Sequence, residues 1–224
     1  SQLKHTSAQI RLFAIESLLN LSASGMIPLS ITILTKGKCI EAIAKTDCTA
    51  TLLELAETAT ESQLRLEALQ VLQNISKSNY LKSHTTATNI EKLVSYIKPK
   101  SARDPEQYHI QLAVLVVLTK VIPVIDNRQA WDDLNCTAVL HNALSIYDDA
   151  DLLLRCLVIL NAVLQDGTPF PIIYNYLLDF ARVKFYRMTG LQTLADLVYT
   201  KGVLSQDGFT AVSDCFLHFA QNNG

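Results

Sequence analysis

A chain of 224 residues that is 49% hydrophobic and 18% charged is long and apolar enough to bury a sizeable core, which excludes an intrinsically disordered chain. Its 19 basic and 21 acidic side chains leave a net charge of -2. Nucleic-acid binders carry a basic excess or stripe, and with neither here no nucleic-acid partner is expected. The longest apolar stretch, Leu112 to Val124, is broken by Thr119, Lys120 and Pro123, so neither a membrane span nor a membrane partner is expected.

Only 7 glycines and 6 prolines punctuate the chain. Apolar residues recur at three- and four-residue steps, the helical period, and no stretch alternates as a strand would. In chain order the first helix runs through Gln9 to Ser22. A shorter amphipathic segment, Thr51 to Ala59, precedes a second long helix over Gln63 to Ser76. Asn89 to Ile97 follows, with Asn89 expected to cap its start. The third long helix spans Ile110 to Val121. Cys136 to Ile146 is the next short helix. The fourth long helix spans Leu152 to Val163, and Asp148 or Asp149 is expected to cap it. Pro171 to Phe180 is a further short helix, with Pro171 suited to its first turn. Tyr186 to Leu197 is a fifth copy, and Phe209 to Ala220 closes the stack. The turns fall at Ser24-Gly25, Ser76 to Ser78, Lys98 to Pro105, Asp126-Asn127 and Asp166 to Pro171.

These long helices resemble one another. Gln9-Ile10-Arg11-Leu12-Phe13-Ala14-Ile15 recurs as Gln63-Leu64-Arg65-Leu66-Glu67-Ala68-Leu69, and Leu18-Leu19-Asn20-Leu21-Ser22 recurs as Leu72-Gln73-Asn74-Ile75-Ser76. A small anchor position runs Ala14, Ala68, Val114, Cys156, Gly190, in steps of 54, 46, 42 and 34 residues. That spacing averages near the roughly 40–47-residue period of armadillo and HEAT arrays. Positions 64, 68, 72 and 75 lie on one stripe of a helix, widened by 69, which a single helix cannot bury alone.

Ala14-Ile15-Glu16-Ser17-Leu18-Leu19-Asn20-Leu21 and Ala68-Leu69-Gln70-Val71-Leu72-Gln73-Asn74-Ile75 resemble the third helix of armadillo repeats, which reads Ala-Leu-x-x-Leu-x-Asn-Leu. The resemblance implies an all-α fold, a right-handed α-solenoid of about five armadillo-like repeats, with residues 1–224 as a single domain. It also implies a non-catalytic scaffold that binds a partner peptide or helix in the groove lined by those third helices. In the family the groove Asn grips a partner's backbone, because an amide offers donor and acceptor together. Asn20 and Asn74 match it, whereas later copies carry Lys120, Ala162 and Asp196. Importin-α-like grooves carry a Trp four residues before the Asn, where this chain has Glu16 and Gln70. Basic nuclear-localisation peptides are therefore not the expected ligand.

The template assigns the groove row to Phe13, Glu16 and Asn20, then Glu67, Gln70 and Asn74, then Ala113, Val116 and Lys120, then Arg155, Val158 and Ala162, and last Thr189, Gln192 and Asp196. An apolar middle between polar ends suits a protein partner. The alternatives are a self-associating structural module, with a homodimer as its product, and a HEAT-type scaffold associated with the cytoskeleton or a phosphatase.

No enzyme motif is present: GxGxxG, GxxxxGK[ST], HExxH and GxSxG are all missing. The five histidines are scattered, so neither a metal nor any other cofactor is expected. Asp132-Asp133 reads as a solvated turn. Arg182, Lys184 and Arg187, interleaved with Phe185 and Tyr186, read as a solvated helix face. Five widely spaced cysteines without a CxxC, Cys39, Cys48, Cys136, Cys156 and Cys215, suggest buried free thiols. An intracellular protein, cytoplasmic or nuclear, is the matching expectation, and the chain, opening on Ser1 without a signal-peptide pattern, reads as part of a longer one.

Overall fold

The computed structural model describes residues 8–22, 38, 40–46, 48–97, 105–164, 183–202 and 204–220; the short helix expected over Pro171 to Phe180 lies outside them. Among the described residues there are helices and turns and no strand. None of these helices is long and apolar enough to cross a membrane. Contacts divide the chain into two compact units, Ser1–Thr85 and Thr86–Gly224.

The first unit contains α1 (Ala8–Ser22), α2 (Cys48–Thr58), α3 (Ser62–Ile75) and α4 (Asn79–His84), with helical residues 40–44 before α2. α3 packs on both α1 and α2. The stripe read from the sequence is the one that is buried: Leu64, Ala68, Leu69, Leu72 and Ile75 are all within 1% of complete burial. Each large member stabilises the unit by roughly 1.5–3 kcal/mol relative to exposure. α1 contributes Ile15, and α2 contributes Leu52, Leu53 and Ala56. Ser78 caps α4, accepting from the N–H groups of Tyr80 and Leu81, while its hydroxyl donates to Glu41 Oε2 at 2.6 Å. One serine thus ends a turn, starts a helix and ties it to residues 40–44.

The second unit contains α5 (Ala87–Ser95), α6 (Pro105–Val121), α7 (Ile125–Asp133), α8 (Cys136–Ile146), α9 (Ala150–Leu164), α10 (Gly190–Asp196) and α11 (Gln206–Ala220). Asn89 does not cap α5. Thr86 does, its hydroxyl accepting from the Asn89 N–H at 3.2 Å. Thr86 sits three residues earlier in extended backbone, where the first orphan N–H groups point. α6 begins on Pro105, whose missing N–H costs nothing at a first helical position. Asp132 and Asp133 are not in a turn; they form the last residues of α7, where Asp133 accepts a hydrogen bond from Gln129 one helical turn back. α7 buries Trp131 completely, and its indole N–H donates to Thr137 Oγ1. Between α7 and α8 the chain reverses at Asn135, which takes φ 57, a left-handed conformation that Asn tolerates better than most residues. Asp149 caps α9 as expected, accepting from the N–H groups of Asp151 and Leu152 at 3.0 Å each.

α9 is the hub of this unit. It packs on α6, α8 and α11, and accordingly buries Leu152, Leu153, Cys156, Leu157, Ile159, Leu160, Val163 and Leu164. A helix enclosed on three sides is apolar nearly all round.

The expected fifth copy, Tyr186 to Leu197, is not one continuous helix. Helical residues 183–187 end at Thr189, which takes φ 61, and α10 starts afresh at Gly190. α10 packs on α8, and α11 takes the next place beside α9. Gly190 is buried for a local reason. A Cβ there would lie 2.3 Å from the Phe185 ring and 2.6 Å from the Phe185 carbonyl oxygen. Five residues of π-helix, Leu197–Lys201, lead from α10 to Gly202, which takes φ 58 as glycine readily does. α11 then closes the unit on α9, in the terminal position the sequence suggests.

Candidate partner-binding surface

In the first unit the expected row lies on α1 and α3, which touch. Glu16 and Asn20 are exposed, and Gln70 and Asn74 are half-buried. The two asparagines therefore sit on neighbouring helices at equivalent template positions. Glu67 is different: only 7% of it is exposed. Its Oε1 accepts from Gln63 one turn earlier, and its Oε2 is buried without a hydrogen-bond partner. Phe13's side chain lies outside the described residues.

In the second unit the row lies on α6 and α9, again in direct contact. Between Ile110 and Thr119, α6 is buried everywhere except Leu112 and Val116, and Lys120 continues that line into solvent. On α9, from Leu152 to Leu164, only Leu154, Arg155, Val158 and Asn161 are open. Val116, Lys120, Arg155 and Val158 thus emerge where the template puts them, while Ala113 and Ala162 are closed off. In the last expected copy, Gln192 and Asp196 are exposed but bond to each other along α10, at 2.8 Å.

Sequence reasoning missed Asn161. It stands one residue before the template position, and its amide is spent on α11: Nδ2 donates to the Ala211 carbonyl at 3.0 Å and Oδ1 accepts from the Cys215 thiol at 3.0 Å. The available signal was a lone amide inside the run Leu157 to Leu164. A second cluster was equally illegible. His141 on α8 hydrogen-bonds Thr193 on α10 at 2.9 Å, its ring meets Phe185 edge-on, and Phe185 stacks on Phe219 of α11.

Burial works against nucleophilic chemistry at the described thiols. Cys48, Cys136, Cys156 and Cys215 are buried free thiols. Burial, with Asp132 assisting, pushes Cys136 up to about 12, and burial alone pushes Cys156 up. A protonated thiol is a poor nucleophile. Among the described residues no three His, Cys, Asp or Glu side chains converge as a metal site would require.

No family model and no curated protein matches the chain. Solved structures do. A designed armadillo repeat protein superimposes with a TM-score of 0.71 at 12% identity, covering 100% of this chain and 81% of that one. The chain has an armadillo-repeat fold. A second designed armadillo repeat protein, solved in complex with the peptide (KR)4, matches with a TM-score of 0.59 at 13% identity over 97% of this chain and 96% of that one. An engineered protein from a structural-genomics programme matches at 0.61 and 15% identity over 98% and 94%. At such identities the likeness establishes the fold. In armadillo terms, α1 and α3 are the long helices of the first unit with α2 as a shorter companion, and α6, α9 and α11 are the long helices of the second with α5 and α8 as shorter companions.

Proposed function

We propose that this armadillo-repeat chain is a non-catalytic interaction scaffold that binds a segment of a partner protein along the open lines of its long helices. The observation that carries the reading is selective exposure. α6 and α9 are buried on almost every side, yet Val116 and Val158 stay open at equivalent template positions. A stripe that folding leaves uncovered on an otherwise enclosed helix is where a partner can gain contact area. A solved armadillo relative in fold does hold a peptide, which supports a peptide-sized ligand here.

The test is selection of binding peptides from a random display library with the whole chain as bait, followed by titration of one selected sequence. Val116→Ala and Val158→Ala are expected to weaken it roughly fivefold each, the range of one lost contact. Far-ultraviolet circular dichroism should stay unchanged. Normal binding by both variants overturns the assignment.

A second reading has its own observation. α11 exposes Phe209, Phe216 and Leu217 on its outer side, so self-association through that helix is the competing function.

A further inference from the structure

The open line of the second unit has a definite chemistry. On α6 it consists of Leu112, Val116 and Lys120, spaced four residues apart and hence on one side of the helix. On α9 it consists of Leu154, Arg155 and Val158. The template pairs 112 with 154 and 116 with 158, and the two helices pack directly. From Ile110 to Val121 the only charged residue of α6 is Lys120, and from Leu152 to Leu164 the only charged residue of α9 is Arg155. Of the acidic side chains at this end of α9, Asp149 is engaged, and Asp151 is exposed one turn before Arg155. Asp149 caps the helix, and Asp149 and Asp151 together act on Tyr108, whose hydroxyl they help hold above its usual range after burial. The body of the strip is therefore apolar with cationic charge alone.

Arg155 adds a second observation. Its side chain is half-exposed, yet its Nε is shielded from solvent and has no hydrogen-bond partner. No ion pair of Arg155 occurs among the described residues. The shielded Nε is closed to any ligand, but on the open part of that guanidinium a partner's carboxylate satisfies the planar fork better than any neutral group.

We infer that the α6–α9 strip selects a partner segment that is apolar and acidic, with aliphatic side chains against Val116 and Val158 and a carboxylate on Arg155. This rests on the scaffold reading above and names its ligand class. Lys120, at the exposed end of the line, favours a further acidic residue and speeds encounter more than it tightens the complex.

The experiment uses the whole chain and three pools of short fluorescein-labelled peptides with the same Leu and Val content, differing only in whether the remaining positions are Glu, Gln or Lys. Fluorescence anisotropy is expected to show the Glu pool binding about tenfold tighter than the Gln pool, the effect of a charge-assisted hydrogen bond, with the Lys pool weakest. Arg155→Gln should erase the preference for Glu, bringing the Glu and Gln pools to the same affinity as each other, and added salt should shrink the preference in the unsubstituted chain. Arg155→Lys, which keeps the charge but not the fork, should restore only part of it. If all pools bind equally and Val158→Asp abolishes binding, the strip is a binding surface without acidic selectivity; the inference fails and the scaffold reading stands. A Glu preference that survives Arg155→Gln also overturns the inference. Binding of no pool overturns both.

Discussion

Gly190 and His141 show how much a single position decides. Adding a methyl at Gly190 would ordinarily help a helix by up to about 1 kcal/mol. Here the new carbon meets both a buried ring and the fixed Phe185 carbonyl. Overpacking of that kind costs about 1–3 kcal/mol, so the clash outweighs the propensity gain. Gly190→Ala is expected to lower the thermal midpoint, and hydrogen exchange should show faster opening of residues 183–196; an unchanged midpoint would contradict the packing described. His141 makes a pH prediction. Burial lowers its pKa below the usual value, so the folded state favours the neutral ring. The unfolded chain then binds more protons, and stability rises with pH up to the unfolded pKa of ~6.5 and levels off above it. Falling pH, from that value through the folded pKa, withdraws the contribution. Urea midpoints measured against pH should show His141→Gln flattening this limb relative to the unsubstituted chain, whereas parallel curves would count against the burial of His141 as its source.

His141 and Asn161 mark the limits of sequence reading. His141, Phe185 and Thr193 come together only because α8, residues 183–187 and α10 do, and no local pattern announces such a meeting. Asn161 was visible as an oddity, but its partners lie 50 and 54 residues away. The stripe at 64, 68, 72 and 75 was legible because helical periodicity and burial express one physical fact: an apolar line needs a neighbour.

At the scale of elements, helix boundaries followed from caps and breaks. Asp149 was readable because an acidic residue directly before an apolar helix has few other uses. Thr86 was not, since Asn89 is also a cap-forming residue and lies only three positions away. The two assignments separate cleanly: Thr86→Ala should cost about 1 kcal/mol, the worth of a lost cap, while Asn89→Ala should cost much less because its N–H is retained. Chemical denaturation of both variants decides it, and a larger loss for Asn89→Ala would reverse the assignment. The fifth copy was misread for a similar reason. Periodicity continues smoothly through residues 186–197, but Thr189 leaves the helical region, and a left-handed threonine leaves no trace in an apolar pattern.

At the scale of the whole molecule, stacked helices leave their last member half-covered. α11 buries Ala211, Val212 and Cys215 against the unit and turns Phe209, Phe216 and Leu217 outward. If the second reading of function holds, light scattering over a wide concentration range should show a mass rising above the 24.8 kDa of one chain, and Phe216→Asp with Leu217→Asp should return it to that value. A mass that stays at one chain throughout would remove self-association through α11. The array was legible because two near-copies of one helix lie in a single sequence, and stacking is the only way such helices shelter each other.

The sealed sulfur atoms of this protein also amount to built-in clocks. Cys48 lies in α2, Cys136 begins α8, Cys156 is in the middle of α9 and Cys215 is on α11. A thiol-labelling reagent added to the native chain reacts with each only when its own surroundings part, so four rates of modification would chart the order in which those four helices loosen.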